Sequence, residues 1–144
     1  MSQPDADTSR YAPVGVYLMV DRGADALEFY KRAFAAEVAE TYPWEDKLGH
    51  ATLKINGGEV MLSDEFPEAM TGTRSPKSLG GTTTTISLTV DDADRWFERA
   101  VDAGAEVVRP LNEEFYGRSG KLRDPFGHTW GIVGPNKGKP ASPA

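Results

Sequence analysis

His50, Glu59, Tyr17 and Arg123 are the residues of this sequence whose types could move a proton or steady a charge. An imidazole accepts a proton near neutral pH, and a nearby carboxylate can orient it. Ala51, Leu53 and Ile55 alternate with His50, Thr52 and Lys54, and Glu59 follows the turn signal Asn56-Gly57. That pattern predicts a hairpin whose apolar set is buried, with His50 on the opposite face. In a catalytic reading His50 is the base and Glu59 its orienter, while Tyr17 or Arg123 steadies developing negative charge. A hydrogen-bonded histidine in a polar layer accounts for the same pattern without catalysis.

Around this pair a binding surface can be drawn. Tyr17, Met19, Trp44 and Met61 are candidates for an apolar and aromatic wall, with Trp44 on a loop after the second strand. Ser63, Thr85 and Ser87 add hydroxyls, and Arg118, Lys121 and Arg123 form the one local basic cluster able to hold an anionic group. Dimer contact explains the aromatics equally, and a charged edge strand explains the basic cluster. A metal trio of His50, Glu59 and Asp64 fails on parity, because Glu59 and Asp64 face opposite ways in a regular strand. His128 and Trp130 share parity with Ile132 and belong with the core. There is no cysteine, so thiolate nucleophiles and cysteine metal sites are excluded. The glycines at 57, 58, 80 and 81 precede no helix, and no phosphate-cradling loop or dinucleotide fingerprint is present.

These residues need a scaffold, and the scaffold is a repeat. Val20-Asp21 opens a helical stretch ending near Val38, and Val90-Asp91 opens another ending near Val107, about 70 residues later. Before each lies an alternating strand: Val14, Val16, Leu18 and Val20 in the first, Ile86, Leu88 and Val90 in the second. Leu27, Tyr30 and Phe34 share one side of the first helix. Ala93, Trp96, Phe97, Ala100 and Val101 form the stripe of the second, with Asp91 as N-cap and Gly104 as stop. Strand patterns follow at 38–42, 51–55 and 59–62, and again at 106–109, 120–123 and 129–133. The expected fold is therefore α+β, two βαβββ modules in tandem with cupped mixed sheets. Module 1 spans about 13–65 and module 2 about 83–134, joined by a linker over 66–82; residues 1–12 and 135–144 are expected to be disordered.

The chain has 144 residues and a net charge of -6, with its cations scattered, which argues against nucleic acid as a partner. No apolar run is long enough to span a bilayer, and no secretory signal opens the sequence, so a cytoplasmic protein is expected.

The doubled unit, together with Ala26-Leu27-Glu28-Phe29-Tyr30-Lys31, Gly49-His50-Ala51, Met61-Leu62-Ser63-Asp64-Glu65 and Asp124-Pro125-Phe126-Gly127-His128-Thr129-Trp130, resembles the glyoxalase/bleomycin-resistance/dioxygenase (vicinal oxygen chelate) superfamily, in its PhnB-like branch. The resemblance implies a helix on the convex side of each sheet and a homodimer whose sites lie in the cups. It also implies four metal-ligand positions, which fall here on Gly15, Met61, Thr85 and Gly131. Glycine has no donor, a thioether is soft and a lone hydroxyl is weak, so no metal and no other cofactor is expected. The expected function is binding of a small organic molecule, in the manner of bleomycin-resistance sequestration. The alternative is a lyase, isomerase or dioxygenase using His50 as base or an atypical metal site.

Overall fold

A computed structural model describes residues 6–138. The strands are β1 (Val16–Val20), β2 (Glu37–Trp44), β3 (Lys47–Ile55), β4 (Gly58–Asp64), β5 (Thr85–Thr89), β6 (Glu106–Glu114), β7 (Gly117–Arg123) and β8 (Thr129–Gly134). The helices are α1 (Gly23–Phe34), α2 (Glu68–Thr71), α3 (Pro76–Leu79) and α4 (Ala93–Ala103). Two four-stranded sheets form, in the orders β1-β4-β3-β2 and β5-β8-β7-β6. β1 runs parallel to β4 and β5 parallel to β8, and the remaining pairs are antiparallel. The α+β fold and its duplicated module are as the repeat implied.

Some boundaries move. β1 begins at Val16 and Val14 is 91% exposed, so Val14 is not part of the helix-facing set. Asp92, not Asp91, caps α4 by accepting from the Arg95 amide. Helix α1 has no capping side chain of its own. Asp64 at the end of β4 replaces it, accepting from Gly23 N at 2.6 Å and Leu48 N at 2.8 Å. The linker is not featureless, since it contains α2 and α3. Of the termini, residues 1–5 and 139–144 lie outside the described residues; Thr8–Arg10 form a 3-10 turn capped by Asp7.

Leu18, Val20, Leu53 and Leu62 face α1, and Leu88, Leu122, Trp130 and Ile132 face α4; all are buried. The helices then pack on each other. Arg99 Nε of α4 donates to the Ala33 carbonyl of α1 at 3.1 Å. The rings of Tyr30 and Phe34 reach Trp130 of the second sheet, at 5.6 and 4.5 Å between centroids. Helices therefore fill the space between the sheets, and the two helix-free faces turn outward, away from each other. Among the described residues the two sheets do not form one shared cup: strand alternation assigns a side chain to a face but not what covers that face. No described helix is long and apolar enough to cross a membrane.

Candidate functional site

The helix-free face of the first sheet presents one row across four strands. Registers place Tyr17 beside Met61, Met61 beside Thr52 and Thr52 beside Glu40. The second sheet has the matching row Ser87, Gly131, Lys121 and Arg109. Tyr17 and Ser87, like Met61 and Gly131, stand one repeat apart, so the duplication extends to the candidate site.

His50 lies in the first row's hydrogen-bond network. The Tyr17 hydroxyl is 2.8 Å from His50 Nδ1, His50 Nε2 is 2.9 Å from Thr52 Oγ1, and Thr52 Oγ1 donates to Glu40 Oε1 at 3.2 Å. Thr52 has one hydroxyl proton and gives it to Glu40. It must therefore accept from His50 Nε2–H, which leaves Nδ1 to accept from Tyr17. The chain is directed, running from an exposed phenol through imidazole and hydroxyl to a carboxylate. The Tyr42 hydroxyl holds the Glu40 carboxyl below the usual carboxylate range, helped by Thr52, Arg10 and His50. Burial pushes the Tyr17 phenol up, so it stays a donor at neutral pH.

Glu59 does not orient His50. It stands opposite Lys54 in the β3–β4 register and pairs with it at 3.1 Å. Glu40, from the neighbouring strand, is the carboxylate near the imidazole, 3.8 Å away. The β2–β3 register that brings Glu40 to Thr52 and Tyr42 to His50 is interrupted by irregularities at Val38/Glu40 and Tyr42/Pro43, so counting along the sequence did not find them.

Met19 and Ser63 are register partners, joined by Ser63 Oγ donating to Met19 Sδ at 3.3 Å. Trp44 ends β2 rather than sitting on a loop, and with Gly49, Phe66 and Met70 it lines an apolar pocket of about 120 Å³. Thr85 and Ser87 lie on the second helix-free face with Lys121 and Arg123. The first sheet's candidates and these are not brought together within one chain.

Arg118 leaves the expected basic cluster. Its position has the opposite parity to 121 and 123, so it reaches α4 and bonds Asp94 at 2.8 and 3.0 Å. The Arg118 guanidinium, with Lys137, brings the Asp94 carboxyl down to about 2. A carboxylate depressed on folding adds stability above its unfolded value, and that stability is lost as pH falls from about 4 toward 2. The Asp94→Asn variant is therefore expected to be less stable than the parent by about 1 kcal/mol at pH 6, a surface-pair magnitude. The gap should close near pH 2, as read by urea titrations at both pH values.

The four positions that the resemblance assigns to a metal form two adjacent pairs, one on each sheet. A Cβ on Gly15 would be 3.2 Å from Met61 Cε, and one on Gly131 would be 3.3 Å from Thr85 Cγ2. Two glycines, a thioether and one hydroxyl do not fit a hard divalent cation. Among the described residues no three His, Asp or Glu side chains form a group able to hold a metal.

Residues 11–132 match the family model described as the Glyoxalase/Bleomycin resistance protein/Dioxygenase superfamily. An uncharacterized protein of Mycobacterium tuberculosis, Rv0887c, is 48% identical over 122 residues, which are 83% of this chain and 72% of that one. The structure of the Arabidopsis thaliana gene product At5g48480 superposes with a TM-score of 0.67 at 30% identity, covering 85% of this chain and 98% of that one. TioX from Micromonospora sp. ML1 superposes with a TM-score of 0.66 at 26% identity, covering 89% and 99%.

Proposed function

The chain belongs to the Glyoxalase/Bleomycin resistance protein/Dioxygenase superfamily, and on that premise we propose that it binds a small aromatic or amphipathic molecule between the helix-free sheet faces of two copies, without a divalent ion. The observation that carries this reading is the outward direction of both faces. They leave Tyr17 47% and Tyr42 51% exposed, a cost in unburied aromatic surface that a second copy would remove. Met61, Tyr17 and Trp44 would supply apolar contact, and Thr85 and Ser87 hydrogen bonds.

Sedimentation equilibrium tests the assembly, with a mass twice 15.7 kDa expected. A monomer at every concentration overturns it. For the ligand, tryptophan fluorescence serves as readout in a screen of planar organic molecules, because Trp44 is 58% exposed while Trp96 and Trp130 are buried. Tyr17→Phe or His50→Ala is expected to weaken a hit by about tenfold, the loss of one good hydrogen bond. Undiminished binding places the ligand elsewhere. Elemental analysis tests the metal: stoichiometric zinc, nickel, manganese or iron that His50→Ala removes would overturn the metal-free reading.

A second reading, proton transfer to or from the bound molecule, is favoured by the directed Tyr17–His50–Thr52–Glu40 chain, with His50 as base behind Tyr17. It requires solvent deuterium to enter a bound ligand in the parent and not in Tyr17→Phe or His50→Ala.

A further inference from the structure

We propose that the cleft between the linker and the outer end of β7 binds a small phosphate-bearing molecule, held by Lys77 and Arg123. The cleft has a volume of about 400 Å³, and its lining includes Lys77, Gly80, Gly81, Thr82 and Arg123 but no Asp or Glu. In a chain of net charge -6, two cations with no carboxylate in the lining make the cleft locally positive.

Glu106 stands opposite Arg123 in the β6–β7 register, but among the described residues no ion pair joins them. The ion pairs of the described residues include neither Lys77 nor Arg123. Two carboxylates on the flanking segments are already engaged. Glu65 accepts from the Ser75 amide and from Ser78 Oγ. Asp124 accepts from Tyr30, Trp130 and the amides of Phe126 and His128.

The two cations sit on elements that are held together. Ser75, fully buried, caps α3 and places Pro76 against the β7–β8 turn. There a Cβ on Gly127 would come 2.7 Å from Pro76 Cβ. Lys77 follows Pro76 directly and Arg123 immediately precedes that turn, so their backbones are fixed before any ligand arrives. A guanidinium fork and an ammonium facing a dianion give charge-assisted bonds, the Thr82 hydroxyl can add another, and Gly80 and Gly81 present no side chain to obstruct close approach. A phosphate group uses both cations at once, whereas a single carboxylate has one charge to share between them.

Arg123 lies at the edge of the second helix-free face, but Lys77 and Thr82 belong to neither face; the inference does not rest on the pairing of two copies, and a failure of dimerisation leaves it standing. The test is an amide NMR titration of the full chain with inorganic phosphate at constant ionic strength, with acetate as the contrasting anion. Saturable shifts are expected at Gly80, Gly81 and Thr82 with phosphate and not with acetate. The Lys77→Gln/Arg123→Gln double variant, altered only at exposed side chains, should raise the Kd by about tenfold or more. Arg32→Gln, at an exposed cation on α1, should bind as the parent does. Absence of saturable shifts, equal response to acetate, undiminished binding by the double variant, or an equal loss in Arg32→Gln each overturns the proposal.

Discussion

Replacing Asp124 with alanine is expected to destabilise the fold by about 3–5 kcal/mol, the range for breaking a buried polar network. Asp124 is 3% exposed, and its carboxylate accepts four hydrogen bonds. Oδ1 takes the amides of Phe126 at 2.9 Å and His128 at 3.0 Å. Oδ2 takes the Tyr30 hydroxyl at 2.5 Å and Trp130 Nε1 at 2.9 Å. Alanine would strand all four donors, two of them on fully buried aromatic side chains, and would leave a void among rings. Tyr30 comes from α1 and Asp124 from the end of the second sheet, so the loss falls on the contact between the modules. Burial, then the neighbouring Asp124 charge, pushes the Tyr30 phenol well up, and it remains a donor wherever the protein is folded. Tyr30→Phe removes one donor and keeps the ring, and about 1–2 kcal/mol is expected. Urea unfolding of both variants checks the pair, and a loss under about 1 kcal/mol for Asp124→Ala would remove the network from this role.

Gly120→Val should cost about 2–4 kcal/mol through overpacking. Gly120 lies on the helix side of β7, and a Cβ there would meet Phe97 Cε2 at 2.8 Å, the Arg109 carbonyl oxygen at 2.9 Å and the Leu111 nitrogen at 3.0 Å. The ring could turn, but the two backbone atoms cannot retreat without moving β6. Gly81→Ala is the control: nothing lies within 4 Å of its Cβ position, and stability should stay within about 0.5 kcal/mol. Thermal or urea midpoints that rank the two alike would show that α4 and β6 give way more easily than these distances imply.

Much of the fold was legible because each signal was local. Leu18 and Val20, Ala51 and Leu53, and Leu88 and Val90 all fall on the buried side that their alternation assigned. The stripe of α4 buries Ala93, Trp96, Phe97 and Ala100 as its spacing required, but Val101, expected in the same stripe, lies at its edge and is exposed. His50 was assigned to the polar face of β3, where it meets Tyr17 and Thr52. The sequence points to Glu59 as its carboxylate, but Glu59 is taken by Lys54, while Glu40 arrives across a register that two irregularities offset. Arg118 is the opposite case: its parity alone separates it from Lys121 and Arg123.

Periodicity and the repeat decide which side chains share a face, because side-chain direction is a property of the backbone next door. The packing of modules, the covering of each face and the charge partners are decided only when the chain closes on itself. Tyr30 meeting Asp124 and α1 meeting α4 join residues distant in sequence, and no local period encodes those meetings. The four positions Gly15, Met61, Thr85 and Gly131 could be read as lacking metal donors from residue type alone. That they stand as two adjacent pairs on faces turned away from each other required the tertiary structure.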